Sequence, residues 1–257
     1  MIKTFDEFYS SQLNEGFSVH GNIVKFEPNS DAIINTSFGK TKRLIPYEMK
    51  LPFGKMYTVY KKSKNVDKKD YKEVLSAIKG QSNQYSIDVE SYDKFLTRTA
   101  LYLSKIVTDN NIDTVIVMET SSRLLADLMV KMNKYLPKYY EMHTYNKGIF
   151  KNPEISAIEI STRHELKPDT TKSLEDILDK ANKESYFSIK RVPAQFRDLI
   201  KNWLKINNKI LSKIVDKRVM IVDDIVTTGS TVKEASILIE EAGAKSLIGI
   251  SIIKGDA

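Results

Sequence analysis

The chain has 257 residues, 41% hydrophobic and 28% charged, enough for one large domain or for a medium one with an appendage. It has no cysteine, which excludes disulfide frameworks and thiolate metal sites and points to a reducing compartment such as the cytoplasm. No apolar run approaches the roughly 20 residues that cross a bilayer, and a net charge of +7 suits a small phosphorylated ligand as well as a nucleic acid. Nucleic-acid binding is therefore open but not indicated.

Residues 1–15 (MIKTFDEFYSSQLNE) place Ile2, Phe5, Phe8, Tyr9 and Leu13 at helical spacing and predict a short amphipathic helix. From Gly16 to about Tyr60 the pattern is β-like: FSVHGNIVKFE, AIINTSFGKTKRLIPYE and KMYTVYKK, with Gly21, Pro28-Asn29, Gly39 and Gly54 as turn signals. A helix carrying Tyr71, Val74, Leu75 and Ile78 follows, and Gly80 to Ser86 reads as a connection. Residues 16–90 are thus expected to form a small α+β unit with no chemical motif of its own.

At Tyr92 the character changes. Apolar residues at 92, 95, 96, 100, 103, 106 and 107 make a helical stripe that ends at Asn110-Asn111. Ile112 to Met118 is a β-branched run of the kind found in a parallel strand covered on both faces. Glu119-Thr120-Ser121-Ser122-Arg123 and a helix from Leu124 to Tyr135 come next, then a strand from Tyr139 to Tyr145 and a basic tip at Lys147. Residues 148–190 are irregular, with a short strand in AIEIST and a helix in LEDILDKANK. A helix from about Ala194 to Val215, the strand Val219–Val222, a helix from Thr231 to Glu241 and the strand Leu247–Ile253 complete the chain. Strands alternating with helices over 91–257 predict an α/β fold with a doubly wound parallel sheet, whose ligands bind at the carboxyl ends of the strands.

One such end carries chemistry. In R-V-M-I-V-D-D-I-V-T-T-G-S-T (218–231) an apolar strand ends in Asp223 and Asp224, and a hydroxyl-rich loop with Gly229 opens a helix. Free N–H groups and the positive end of the helix dipole make a phosphate site there, and Gly229 permits close backbone approach. The two carboxylates suit sugar hydroxyls or a divalent cation. Together these features describe a site for a sugar phosphate.

The stretch 219–231 resembles the phosphoribosyl-pyrophosphate signature of type I phosphoribosyltransferases, and the order of elements from residue 92 onward also fits that family. The resemblance implies that Asp223 and Asp224 contact the ribose hydroxyls, directly or through Mg²⁺ held by the carboxylates or by water between, as the catalytic acids and metal ligands. It implies that Thr227, Thr228, Gly229, Ser230 and Thr231 hold the 5′-phosphate. The family binds pyrophosphate at the loop after its first core strand, which implies Thr120, Ser121, Ser122 and Arg123, joined by Lys147 from the end of the next strand. Arg123 is the expected catalytic cation. The implied partners are phosphoribosyl pyrophosphate and a small acceptor with a nucleobase-like nitrogen, in a homodimer with no membrane association. Segment 148–190 is the candidate hood.

Purine-salvage members acting on 6-oxopurines typically carry an acid where this chain has Thr227, which argues against that acceptor. An alternative reading is a regulatory protein that keeps the site as a sensor and binds nucleic acid or a protein through its N-terminal unit. Residues 1–15 also resemble the short targeting peptides of internal capsid proteins in tailed phages. That resemblance implies a virion-associated protein cleaved after Glu15.

Overall fold

The computed structural model describes residues 15–28, 32–36, 51–63, 66–120, 122–138, 140–154, 156, 158–160, 166–184 and 187–255. The helix expected over 1–15 lies outside these residues, except that Glu15 opens a strand instead.

Alternating apolar residues in the N-terminal segment fold as β1 (Glu15–His20), β2 (Ile23–Pro28) and β3 (Ile34–Thr36), with β1 pairing antiparallel to both others. β4 (Lys55–Lys62) pairs antiparallel to β3. α1 (Lys68–Ile78) starts where the Asp67 carboxylate accepts from the Lys69 N–H at 2.6 Å, and it stops at Lys79, before Gly80 at φ 67°. After the short β5 (Ser86–Ile87), α2 (Val89–Asp109) starts in the same way, with Asp88 accepting from the Ser91 N–H at 2.7 Å. Its apolar stripe buries Phe95, Leu96, Ala100, Leu103 and Val107.

The core then alternates: β6 (Thr114–Val117), α3 (Leu124–Asn133) and β7 (His143–Asn146). β8 (Ile149–Lys151), β9 (Glu159–Ile160) and α4 (Pro168–Glu184) follow, then β10 (Ile200–Lys201) and β11 (Leu204–Ile206). β12 (Arg218–Val226), α5 (Ser230–Glu241) and β13 (Ser246–Lys254) close the described chain.

Nine strands form one sheet in the order β5-β2-β1-β3-β4-β13-β12-β6-β7. The run β4-β13-β12-β6-β7 is parallel throughout, which is the α/β core expected from the sequence. Side chains alternate along β12: Met220 and Val222 enter the core beneath α1–α3, while Val219 and Ile221 enter the one beneath α4 and α5. The sheet is therefore covered on both faces, and the strand reads as a continuous apolar run for that reason.

Three expectations change. The strand Lys55–Lys62, assigned by pattern to the unit 16–90, joins the parallel run beside β13, so the N-terminal strands extend the main sheet. The helix expected from Ala194 to Val215 is absent; 3-10 turns at Ala194–Leu199 and Asn208–Lys213 flank β10 and β11. Asn202 takes φ 60°, a left-handed conformation that a helix interior does not contain, and Asn207 caps the second turn. β10 and β11 pair antiparallel with β9 and β8, so the irregular insertion continues to about residue 213. The strand expected from Tyr139 contracts to His143–Asn146.

The N-terminal strands are anchored by rings and by one ion pair. Phe17, Phe26, Tyr60 and Phe95 are packed with centroids 4.9 to 6.2 Å apart. Such pairs are each worth about 0.5–1.5 kcal/mol beyond their burial. Beside them the Arg98 guanidinium donates twice to Glu15, at 2.5 and 2.7 Å, both side chains being buried. The Glu15–Gly16 bond, the expected cleavage point, lies inside β1 where Glu15 faces Pro28.

Candidate functional site

The carboxyl ends of β6 and β12 lie side by side, with Val222 opposite Val117. The loops that follow both strands open into one cavity of about 550 Å³. From β12 and its loop the walls take Asp223 through Thr231, and from the end of β6 they take Met118, Glu119 and Thr120. The insertion after β7 adds Phe150, Ile189, Lys190, Arg197 and Trp203, and α1 adds Lys79.

Adjacent residues on a strand face opposite sides of the sheet, and this separates the two acids. One carboxylate oxygen of Asp224 receives the Thr120 hydroxyl and the Lys79 ammonium, each at 2.6 Å. Asp223 accepts the Asp224 N–H at 2.9 Å. Burial, then the neighbouring Asp224 charge, pushes the Asp223 carboxyl up to about 7, while the Asp224 N–H, Lys79 and Lys190 act in the other direction. The site therefore holds one carboxylate paired with Lys79 and Thr120 and one whose proton affinity is raised by burial.

The loop after β12 has the backbone geometry expected where Gly229 opens a helix. Gly229 sits at φ 78°, a left-handed conformation, and as the N-cap of α5 it offers no side-chain cap bond. The amides of the first helical turn are thereby left to a ligand. Ser230 is not wholly free: its hydroxyl donates to Asp198 at 2.8 Å and lies 3.1 Å from the Thr228 hydroxyl. Burial opposes the charge on Asp198, but hydrogen bonds from Lys233 and Ser230 outweigh it and hold the carboxyl below its usual range. Opposite the loop, the buried Nε1–H of Trp203 has no partner among the described residues, and its indole stands edge-on to Phe187 at 6.5 Å.

Residues 170–256 match the family model described as phosphoribosyl transferase domain. No curated protein matches the chain. Among solved structures, a hypoxanthine phosphoribosyltransferase from Staphylococcus aureus is similar at 14% identity, covering 63% of this chain and 64% of its own, with a TM-score of 0.34. A hypoxanthine-guanine phosphoribosyltransferase from Schistosoma mansoni in complex with IMP is similar at 11% identity, covering 66% and 67%, with a TM-score of 0.31. The chain thus spans a little under two thirds of the Staphylococcus aureus protein.

Asp223, Asp224, Thr227, Thr228, Gly229, Ser230 and Thr231 line one cavity, and Thr120 joins them there. Of the other expected pyrophosphate contacts, Arg123 and Lys147 do not line this cavity. Ser122 lies next to it, its hydroxyl 3.4 Å from that of Thr120, and Ser121 is outside the described residues. Arg123 is 91% exposed and lies 3.8 Å from Asp127, because it directly precedes α3 and turns along that helix. Lys147, at φ 56°, is exposed and pairs with Glu119 at 3.5 Å.

Sequence reasoning missed Lys79, Arg197 and the cavity role of Trp203. A basic residue just before a helix-stopping glycine, as in Lys79-Gly80, was the available signal. No group of three or more acids or histidines suited to a metal occurs among the described residues. Two adjacent carboxylates still fit Mg²⁺, which is often held by one or two protein carboxylates, its remaining places going to water and phosphate oxygens.

Proposed function

We propose that the chain is a phosphoribosyltransferase that moves the 5-phosphoribosyl group from phosphoribosyl pyrophosphate to a nitrogen of a nucleobase-like acceptor, releasing pyrophosphate. The observation that carries this reading is the meeting of Asp223, Asp224, Thr120 and the uncapped start of α5 in one cavity. The loop from Thr227 to Thr231 would hold the 5′-phosphate and so fix C1′ for attack. Asp223 and Asp224 would hold the ribose hydroxyls, and Asp223, with the Asp224 oxygen that Lys79 leaves open, would hold Mg²⁺. When bound there, Mg²⁺ supplies neutralisation of the departing pyrophosphate. Lys79, Lys190 and Arg197 add positive charge to the same walls. Phe150, Ile189 and Trp203 make an apolar side suited to a flat acceptor and to the exclusion of water, whose attack would waste the donor. Thr227 speaks against a 6-oxopurine as that acceptor. Assembly as a homodimer follows from the family resemblance alone.

A second reading is a regulatory protein that binds phosphoribosyl pyrophosphate without turning it over. The outward course of Arg123 favours it, since the expected leaving-group cation points to solvent. Pyrophosphate release from phosphoribosyl pyrophosphate and Mg²⁺, measured across a panel of nucleobases, separates the two. Acceptor-dependent release supports the enzyme. Tight donor binding with no release on any base supports the regulator, and absence of donor binding overturns both.

Among the described residues no helix is long and apolar enough to cross a membrane.

A further inference from the structure

Asp224 does not face the cavity as a bare carboxylate. One of its oxygens is taken by the Lys79 ammonium and the Thr120 hydroxyl, each at 2.6 Å, with Lys79 only 17% exposed. An ammonium and a divalent ion carry like charge and cannot both sit on that oxygen at bonding distance. An ammonium has three N–H groups, so beyond Asp224 it keeps donors for a sugar oxygen.

The lysine is held in place by its element. Lys79 ends α1, where its own N–H bonds back to the Leu75 and Ala77 carbonyls, and Gly80 turns the chain away. A cation at a helix C-terminus is also favoured by the helix dipole. α1 is tied to the core next to the site, since the Tyr71 hydroxyl donates to the Lys254 carbonyl at 2.6 Å, at the end of β13. The N-terminal part of the chain, which carries no motif, thus supplies a charge to the acid pair.

We propose that Lys79 is a resident cation of the ribose site, doing at Asp224 what a divalent ion would otherwise do, so that a 5-phosphorylated pentose is held there without metal. This rests on the donor-site reading above. Removing the lysine leaves two acids facing an anionic ligand, and a divalent ion then becomes necessary to bring them together.

The test is titration calorimetry of the full chain with ribose 5-phosphate, in EDTA and in Mg²⁺. Wild-type protein is expected to bind equally in both. Lys79→Met is expected to lose about tenfold or more in EDTA, the scale of a lost charge-assisted hydrogen bond, and to recover in Mg²⁺. Lys79→Arg keeps the charge and is expected to retain metal-free binding. Loss of wild-type binding in EDTA overturns the proposal. So does a Lys79→Met protein that binds like wild type in EDTA, or one that Mg²⁺ does not rescue. If wild-type protein binds ribose 5-phosphate in neither condition, the donor-site reading falls as well, which distinguishes the two failures.

Discussion

The Thr120 hydroxyl donates to an Asp224 carboxylate oxygen at 2.6 Å across 104 residues of sequence, joining the loop after β6 to the end of β12. A hydrogen bond to a charged acceptor is worth about 1.5–3 kcal/mol. Thr120→Ala is therefore expected to weaken binding of phosphoribosyl pyrophosphate about tenfold or more while circular dichroism stays unchanged. Calorimetry provides the affinity, and wild-type affinity in the variant would disconnect this loop from the donor site.

Replacing both acids tests the site itself. Asp223→Asn with Asp224→Asn keeps side-chain volume but removes the charges that would hold ribose hydroxyls and Mg²⁺. Binding of the Mg²⁺ complex of phosphoribosyl pyrophosphate should disappear with the fold intact. Unchanged affinity would end the assignment.

The Glu15–Arg98 pair offers a test of architecture. Removing one partner of a buried ion pair leaves an uncompensated charge and typically costs about 3–5 kcal/mol. Glu15→Gln should lower stability to urea by an amount in that range. A loss below about 1 kcal/mol, the scale of an exposed pair, would mean that the N-terminal strand does not depend on this contact.

Asp223 predicts a pH dependence. Its carboxyl is pushed up to about 7 from an ordinary value of 3.8, by burial and then by Asp224, so the folded protein binds a proton there more tightly than the unfolded chain does. Stability must then fall as pH rises through the window between those values and level off above it. In metal-free protein the difference in unfolding free energy between wild type and Asp223→Asn should change across that window by at most about 1.4 kcal/mol per pH unit. A difference that stays constant with pH would mean that Asp223 is not protonated in the fold.

Much of the site was legible because it is local. The acids, Gly229 and the hydroxyls lie within 223–231, and a strand end followed by a helix start fixes their positions from sequence spacing alone. Arg123 was misjudged because the five residues after β6 give its order but not its direction, and α3 carries it outward. The helix expected over 194–215 failed because apolar spacing cannot register the left-handed turn at Asn202.

By itself, the sequence determined the parallel α/β core and the run of acids, glycine and hydroxyls at 223–231, since both are written in contiguous runs whose periodicity and turn residues act over a few positions. The tertiary structure decided which distant charges meet them. Lys79 reaches Asp224 only because β4 joins the sheet beside β13 and α1 is carried with it. Trp203 reaches the cavity only because β11 pairs with β8. Those pairings depend on hydrogen bonds between segments far apart in the chain, and no local pattern records them.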